Sequence, residues 1–266
     1  MANNNAVWLI TTKTNLHAGN ENTSSYGLID KSVQRDVLTG LPCINGSSLK
    51  GALNEFFSAK KKKEPAFLKK VFGVDKTGEI TETEKGTTSF FDAQLLSIPV
   101  QSNNRLFYRA TSPGVLNNFV ERLKMFSIIP ETRNYKDLSV DLNLSTPVVF
   151  TEEGTKLGDF SARKEDRFTQ LDNIEALIGK EVAIFSDRDF KDLCDDYNLP
   201  IIARNKLDNG ESKNLWYEQL LPQETVFYSI FLSSENDISK DFLDGEIVQI
   251  GANATVGFGY CQFKLL

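Results

Sequence analysis

The sequence predicts an α+β fold, a modified ferredoxin-like arrangement with large insertions, and three observations lead there. A strand-like run at 6–13 is followed by a helical pattern at 46–59. Two strand-like runs, 88–100 and 105–111, come before a second helical pattern at 113–126. Strand-like stretches then return near the C-terminus. Strand, helix, strand, strand, helix, strand is the ferredoxin-like order. The chain's 266 residues suffice for one large domain with insertions, and we read 1–266 as a single domain.

Residues 6–13, AVWLITTK, are β-branched and aromatic, as a strand requires. Residues 14–45 carry Gly19, Gly27, Gly40 and Pro42 and read as one long loop, a length that usually signals function or disorder. In 46–59, apolar residues recur at Leu49, Leu53, Phe56 and Phe57 behind a serine N-cap candidate, which predicts a helix. The run Lys60 to Lys63 reads as a solvated helix end. A second short helix is expected at 64–72 and a polar loop at 74–87. Ser112-Pro113 places an N-cap before a proline at the first helical position, and Val115, Leu116, Phe119, Val120 and Leu123 form one apolar face. Residues 130–170 are irregular and charged and read as an insertion. A helix capped by Ser186 is expected over 186–197, and 200–223 mixes a short strand, the polar turn LDNGESKN and LWYEQLLP. Strands at 224–232 and 245–250, a glycine loop GANATVGFG at 251–259 and a last strand at 259–266 complete the chain.

Composition narrows the function. With 30 basic and 36 acidic residues the net charge is −6, unlike a free-standing nucleic-acid binder, although a local basic face remains compatible with it. No run nears the roughly 20 apolar residues of a spanning helix, and the N-terminus lacks a signal-peptide pattern, so a cytoplasmic protein off the membrane is expected. Cys43, Cys194 and Cys261 are scattered and read as reduced structural thiols. His17 is the single histidine, which removes paired-histidine nuclease chemistry and a two-histidine zinc site within one chain.

Four constellations can carry chemistry. GSSLKG at 46–51 is either an anion cradle at a helix N-terminus or an ordinary capped helix with a surface lysine. GANATVGFG either lets a backbone approach a ligand closely or forms a bulged hairpin turn. Asp30 and His17 supply a metal ligand or general acid/base, or else a loop cap and a structural histidine. Trp216 and Tyr217 follow a polar turn, as base-stacking residues on a projecting element would, whereas Phe227 and Tyr228 read as strand residues.

Seven segments occur in order: LHAG (16–19), GLIDKSVQRD (27–36), TGLPCINGSSLKGAL (39–53), FFDAQLLSIPVQS (90–102), SDRDF (186–190), LWYEQLLPQETVFY (215–228) and QIGANATVGFG (249–259). The set resembles the repeated backbone subunit of type III-B (Cmr) CRISPR effector complexes, of the RAMP superfamily, over nearly the whole chain except 130–170. The resemblance implies a ferredoxin-like, RNA-recognition-type palm with a projecting thumb. It implies copies of one subunit stacked along a CRISPR RNA with other Cmr subunits, each copy cutting paired single-stranded target RNA with a divalent metal, magnesium or manganese. It carries the slicing role and the metal to Asp30. It carries RNA contacts to Lys50, Ser47, Ser48, Arg35, Gly251, Gly257 and Gly259, and supporting catalytic roles to His17, Glu218 and Tyr217. Ala252 stands where the resemblance leads one to expect a second glycine. A non-cleaving guide-binding scaffold and a guide-processing RAMP nuclease are the alternatives.

Overall fold

The computed structural model describes residues 5–19, 29–74, 83–128, 130, 135, 138–234 and 240–266. Its centre is an eleven-stranded sheet. The strands are β1 (Ala6–Thr12), β2 (Cys43–Ile44), β3 (Thr88–Phe90), β4 (Ala93–Val100), β5 (Tyr108–Thr111), β6 (Val148–Val149), β7 (Arg163–Lys164), β8 (Val182–Ile184), then, after the separate hairpin β9 (Ile201–Asp208) and β10 (Glu211–Gln219), β11 (Val226–Ser233), β12 (Ile247–Gln249) and β13 (Tyr260–Leu265). The helices are α1 (Gly46–Glu55), α2 (Pro65–Phe72), α3 (Pro113–Met125), α4 (Leu171–Ile178) and α5 (Asp187–Leu193).

The main sheet runs β7-β6-β8-β5-β4-β11-β1-β13-β12, with β2 added to β4 and β3 to β11. The mixed α+β class is as expected. The expected order of strand, helix, two strands and helix is present as β1, α1, β4, β5 and α3, and β11, from the C-terminal half, lies between β1 and β4. Val7–Ile10 and Val226–Phe231 are buried without alternation, so both faces of the central strands are covered. Trp8 packs against Phe231 and Phe263, and Phe90 stacks on Phe72 at 5.3 Å. The three thiols are free and buried, and burial pushes each up to about 12.

Several expectations are corrected. The run 88–100 is two strands rather than one, and α1 ends in a π-helical turn, Phe56–Lys60, that buries both Phe56 and Phe57. The N-cap of α1 is Asn45, not a serine, because the helix already begins at Gly46. The lysine run is more than a solvated end: Lys60 and Lys61 pair with Glu246 at 3.4 and 2.7 Å, and Lys63 Nζ lies 3.4 Å from the Phe242 ring centroid. Ser186 does cap α5, accepting from Asp189 N–H at 3.1 Å.

Residues 130–170, expected as an irregular insertion, contribute to the main sheet. Val148 and Val149 are fully buried and pair antiparallel with Ile184 and Ala183, while β7 pairs parallel with β6. The stretch escaped notice because two-residue strands leave no periodic pattern. Val149→Asp would put an unpaired charge inside the sheet and is expected to lower stability by about 3 kcal/mol or more. Urea unfolding measures it. A change within about 0.5 kcal/mol would show that this strand adds nothing to the core.

Candidate nucleic-acid interface and catalytic loop

Asn209 (φ 50°) and Gly210 (φ 85°) close β9 onto β10 with two successive left-handed residues, the geometry that matches strand twist in a two-residue hairpin. The hairpin forms its own two-stranded sheet. Along β10 the residues are exposed apart from half-buried Trp216 until Glu218 and Gln219, which are buried. Leu215 and Tyr217 stand out in solvent at 53% and 40% exposure, where they are free to meet a partner. Alternating polar residues on both sides of this hairpin hid it in the sequence.

The Asp30 segment lies along the foot of the hairpin. Asp30 and Lys31 N–H both donate to the Tyr217 carbonyl at 3.1 Å, and Gln219 N–H donates to the Lys31 carbonyl at 2.9 Å. Tyr217 N–H in turn donates to Asp30 Oδ2 at 2.7 Å. The carboxylate is thus fixed at an exposed position, with its other oxygen unengaged among the described residues.

Glu218 is the opposite kind of acid. Its side chain is 2% exposed and accepts from Trp216 Nε1 (2.7 Å), Lys31 Nζ (2.9 Å) and Asn253 Nδ2 (2.8 Å), with Arg204 Nε at 3.9 Å. Burial works to raise its pKa, and the hydrogen bonds from Trp216, Lys31 and Asn253 outweigh it, holding the carboxyl at about 2. Lys31 also sits 5.2 Å from the Trp216 ring centroid. So enclosed, Glu218 has no oxygen to offer a substrate. Its contacts tie together the acid loop, the hairpin and the glycine loop.

His17 is buried at 3% exposure, and its Nδ1 lies 2.7 Å from the Gln219 carbonyl. A carbonyl partner assigns the proton to Nδ1. The His17 carbonyl accepts from Ala252 N–H at 3.0 Å, and a side chain on Gly251 (φ 76°) would collide with that same carbonyl. Gly251 therefore serves a backbone crossing. Gly259 is equally confined, against the Ile250 carbonyl, whereas Gly257 (φ 83°) faces open space. Ala252 is accommodated because the left-handed positions of the loop are Gly251, Asn253, Gly257 and Gly259, not 252.

The GSSLKG segment differs from a free anion cradle. Gly46 N–H already donates to Asp92 Oδ1 at 2.6 Å, and a Cβ at Gly46 would strike the Phe90 carbonyl. One amide at this end of the helix, Gly46 N–H, is thus already taken by a carboxylate. The side chains remain: Ser47 is exposed, and Lys50 is half-buried with no ion-pair partner among the described residues. Ser48 accepts from Gln34 Nε2 at 3.0 Å. Ser48 and Gly251 line one open groove of about 750 Å³, together with Lys60, Gln249 and Tyr260. Arg35 donates to Asp196 (Nη2 at 2.7 Å) and to the Gly40 carbonyl (2.9 Å), contacts that brace the loop.

Among the described residues no three His, Cys, Asp or Glu side chains cluster as metal ligands. The exposed Asp30 carboxylate fits a largely hydrated magnesium or manganese completed by substrate phosphate, and the site does not fit an all-protein cage. The residues that sequence reasoning missed are Gln34, Lys31, Asn253 and Gln219. Gln219 Oε1 accepts from Val33 N–H at 3.0 Å, and its Nε2 donates to Asp196 at 3.1 Å. The contacts of Gln219 with Val33, and of Asn253 with Glu218, join residues far apart in the chain, and no local pattern marks them.

A folded-state pKa held below the ordinary value of 4.5 contributes stability that is fully present above pH 4.5 and lost as pH falls toward about 2. Glu218→Gln should therefore flatten the acid limb of the stability–pH curve between about pH 4.5 and 2, measured by thermal melting across pH. An unchanged acid limb would show that the native carboxyl is not held low.

The sequence profile of the RAMP superfamily matches residues 9–262. A curated relative, the CRISPR system Cmr endoribonuclease Cmr4 of Pyrococcus furiosus, is 30% identical, with 96% of this chain and 93% of the relative aligned. The crystal structure of oligomeric Cmr4 from the same organism superposes with a TM-score of 0.74 at 26% identity, covering 98% of each chain. A chain of the type III-B Cmr-beta complex in its apo state shares the fold, with a TM-score of 0.77 at 21% identity and 98% and 97% coverage. The chain belongs to the RAMP superfamily and, within it, to the Cmr4 family.

Proposed function

We propose that this chain is an RNA-slicing backbone subunit of a type III-B CRISPR effector complex, cutting target RNA that is paired to a CRISPR RNA. The observation that carries the reading is the placement of Asp30. Its exposed carboxylate is fixed by Tyr217 N–H at the foot of a separate hairpin, and Glu218 ties that foot to the glycine loop through Asn253. Specificity comes from base pairing, so the protein needs backbone contacts and shape, which suits an acidic chain with a few committed cations.

The hairpin β9–β10, with Leu215, Trp216 and Tyr217 near its foot, takes the part of the thumb that interrupts the guide–target duplex. A displaced nucleotide is bent toward in-line geometry. Its 2′-oxygen attacks the adjacent phosphorus, the P–O5′ bond breaks, and the products carry a 2′,3′-cyclic phosphate and a 5′-hydroxyl. Asp30 accepts the 2′-hydroxyl proton or helps hold a divalent ion, and water returns a proton to the leaving 5′-oxygen. The ion supplies charge neutralisation at the phosphate. Tyr217 contributes its backbone N–H, and His17 fixes the strand that bears Gln219. Ser47, Ser48, Lys50 and the open side of the loop at Gly257 meet guide phosphates along the groove shared with Gly251. Gly259 shapes the same loop. Further copies of this chain and other Cmr subunits complete the complex, working in the cytoplasm. Among the described residues no helix is long and apolar enough to cross a membrane.

Asp30→Asn keeps shape and removes charge. In a reconstituted complex it should cut labelled target at least ~10²-fold more slowly with guide and target binding near wild type, because a group acting in the transition state changes rate rather than affinity. Gel resolution with magnesium, and with chelator as control, measures it. Cleavage at the wild-type rate and positions would put the centre elsewhere and favour the scaffold reading. Lys50→Ala should weaken guide retention and reduce the slope of log affinity against log salt by about 0.7, the share of one single-strand phosphate contact. An unchanged slope would remove Lys50 from the interface.

A further inference from the structure

Gln34 is 8% exposed, sits in no helix or strand, and uses every polar group it has. Its backbone N–H donates to the Ala18 carbonyl at 2.8 Å, and its carbonyl accepts from Cys43 N–H at 3.0 Å. Its Oε1 accepts from Asn45 N–H at 2.8 Å. Its Nε2 donates to the Gly19 carbonyl at 3.1 Å and to Ser48 Oγ at 3.0 Å. The partners fix the amide orientation without ambiguity, since Asn45 offers only a donor and Gly19 only an acceptor.

These contacts join three pieces of chain. Asn45 and Ser48 belong to the start of α1, the Gly19 carbonyl lies two residues beyond His17, and Gln34 itself stands four residues beyond Asp30. Ser48 accepts from Gln34, so its own hydroxyl hydrogen is available to donate, and Ser48 lines the open groove with Gly251 and Lys60. A phosphate in that groove and the Gly19 carbonyl are thus the two ends of one short chain of hydrogen bonds with Gln34 in its middle.

We infer that Gln34 is a positioning residue that ties the Asp30 loop to the groove beside Ser48, so that the acid keeps its place relative to a guide seated there. The inference rests on the guide-directed ribonuclease reading and adds to it the route from guide to acid. A buried carboxamide with both N–H groups and its oxygen engaged has one low-energy orientation, so losing one of its bonds leaves a buried polar group unpaired. Ser48 is the sole member of the network that also faces the groove. Its contact with Gln34 is therefore the step at which a bound phosphate is felt.

The test uses the assembled complex with guide RNA and labelled target, under single turnover with target saturating. Gln34→Glu keeps the shape and the acceptor for Asn45 N–H and abolishes donation to Gly19 and Ser48. The expected result is a cleavage rate at least tenfold lower, with guide retention and target Kd within twofold of wild type. Ser48→Ala, at a half-buried helix position, should lower the rate in the same direction, and Ser48→Thr, which restores the hydroxyl, should recover it. The double variant Ser48→Ala/Gln34→Glu should be no slower than Gln34→Glu alone, because one route is cut twice. Wild-type cleavage by Gln34→Glu overturns the inference. So do losses that multiply in the double variant, or a rate that falls only in step with guide retention. An Asp30→Asn control separates the levels. If it is inactive while Gln34→Glu is active, only the coupling fails. If it cleaves normally, the ribonuclease reading falls and the coupling with it.

Discussion

A buried carboxylate at the foot of a hairpin is a demanding object, because removing a charge from water costs several kcal/mol unless its lone pairs are filled. Glu218 meets that demand with donors from three segments: Lys31 beside the acid loop, Trp216 on its own strand, and Asn253 in the glycine loop. No two of those segments can shift independently without stranding the charge. The hairpin, the Asp30 loop and the glycine loop therefore hold one mutual arrangement, although none of the three belongs to the main sheet. Rigidity of this kind is what a slicing site needs, since small displacements of a reacting group cost large factors in rate.

The long loop between β1 and β2 extends this logic to the backbone. Its described parts carry isolated bridges, such as Leu16 to Leu221 and Arg35 to Pro42, in place of a continuous ladder. Buried amides and carbonyls must nevertheless be paired. Two glutamines do much of it. Gln34 serves Asn45 and Gly19, and Gln219 serves Val33 and Asp196. His17 closes the set by binding the Gln219 carbonyl with its ring and Ala252 with its backbone. The single histidine of the chain thus links the Gln219 carbonyl to the glycine loop, and Gly251 lets that backbone crossing happen.

Much of the architecture was legible because its signals are local. The apolar face of α3, the Ser186 cap and the β-branched run of β1 each follow from spacing within a dozen residues. The short strands at 148–149 and 163–164 and the polar hairpin were not, because two-residue strands have no period and a two-stranded sheet in solvent has no apolar face to show. The site divides the same way. Asp30 and the two glycine-bearing segments stood out through the resemblance. The identity of Glu218 as a holder, of Arg35 as a brace and of Gln34 and Gln219 as loop pins depends on contacts between residues far apart in sequence, and only the folded chain supplies those.

The charge balance finds its explanation in where the acids go. Asp92 closes the N-terminus of α1 on Gly46, Asp196 holds Arg35, Glu246 holds Lys60 and Lys61, and Glu224 takes Arg109 at 2.8 Å. Each pairing removes a cation or a helix end from the surface field, so the net charge of −6 says little about the groove. At the start of α1, Asp92 takes Gly46 N–H, while Lys50 has no ion-pair partner among the described residues. On the proposed reading, specificity resides in the RNA that the subunit carries, and the burden of geometry falls on the hairpin foot that holds Asp30.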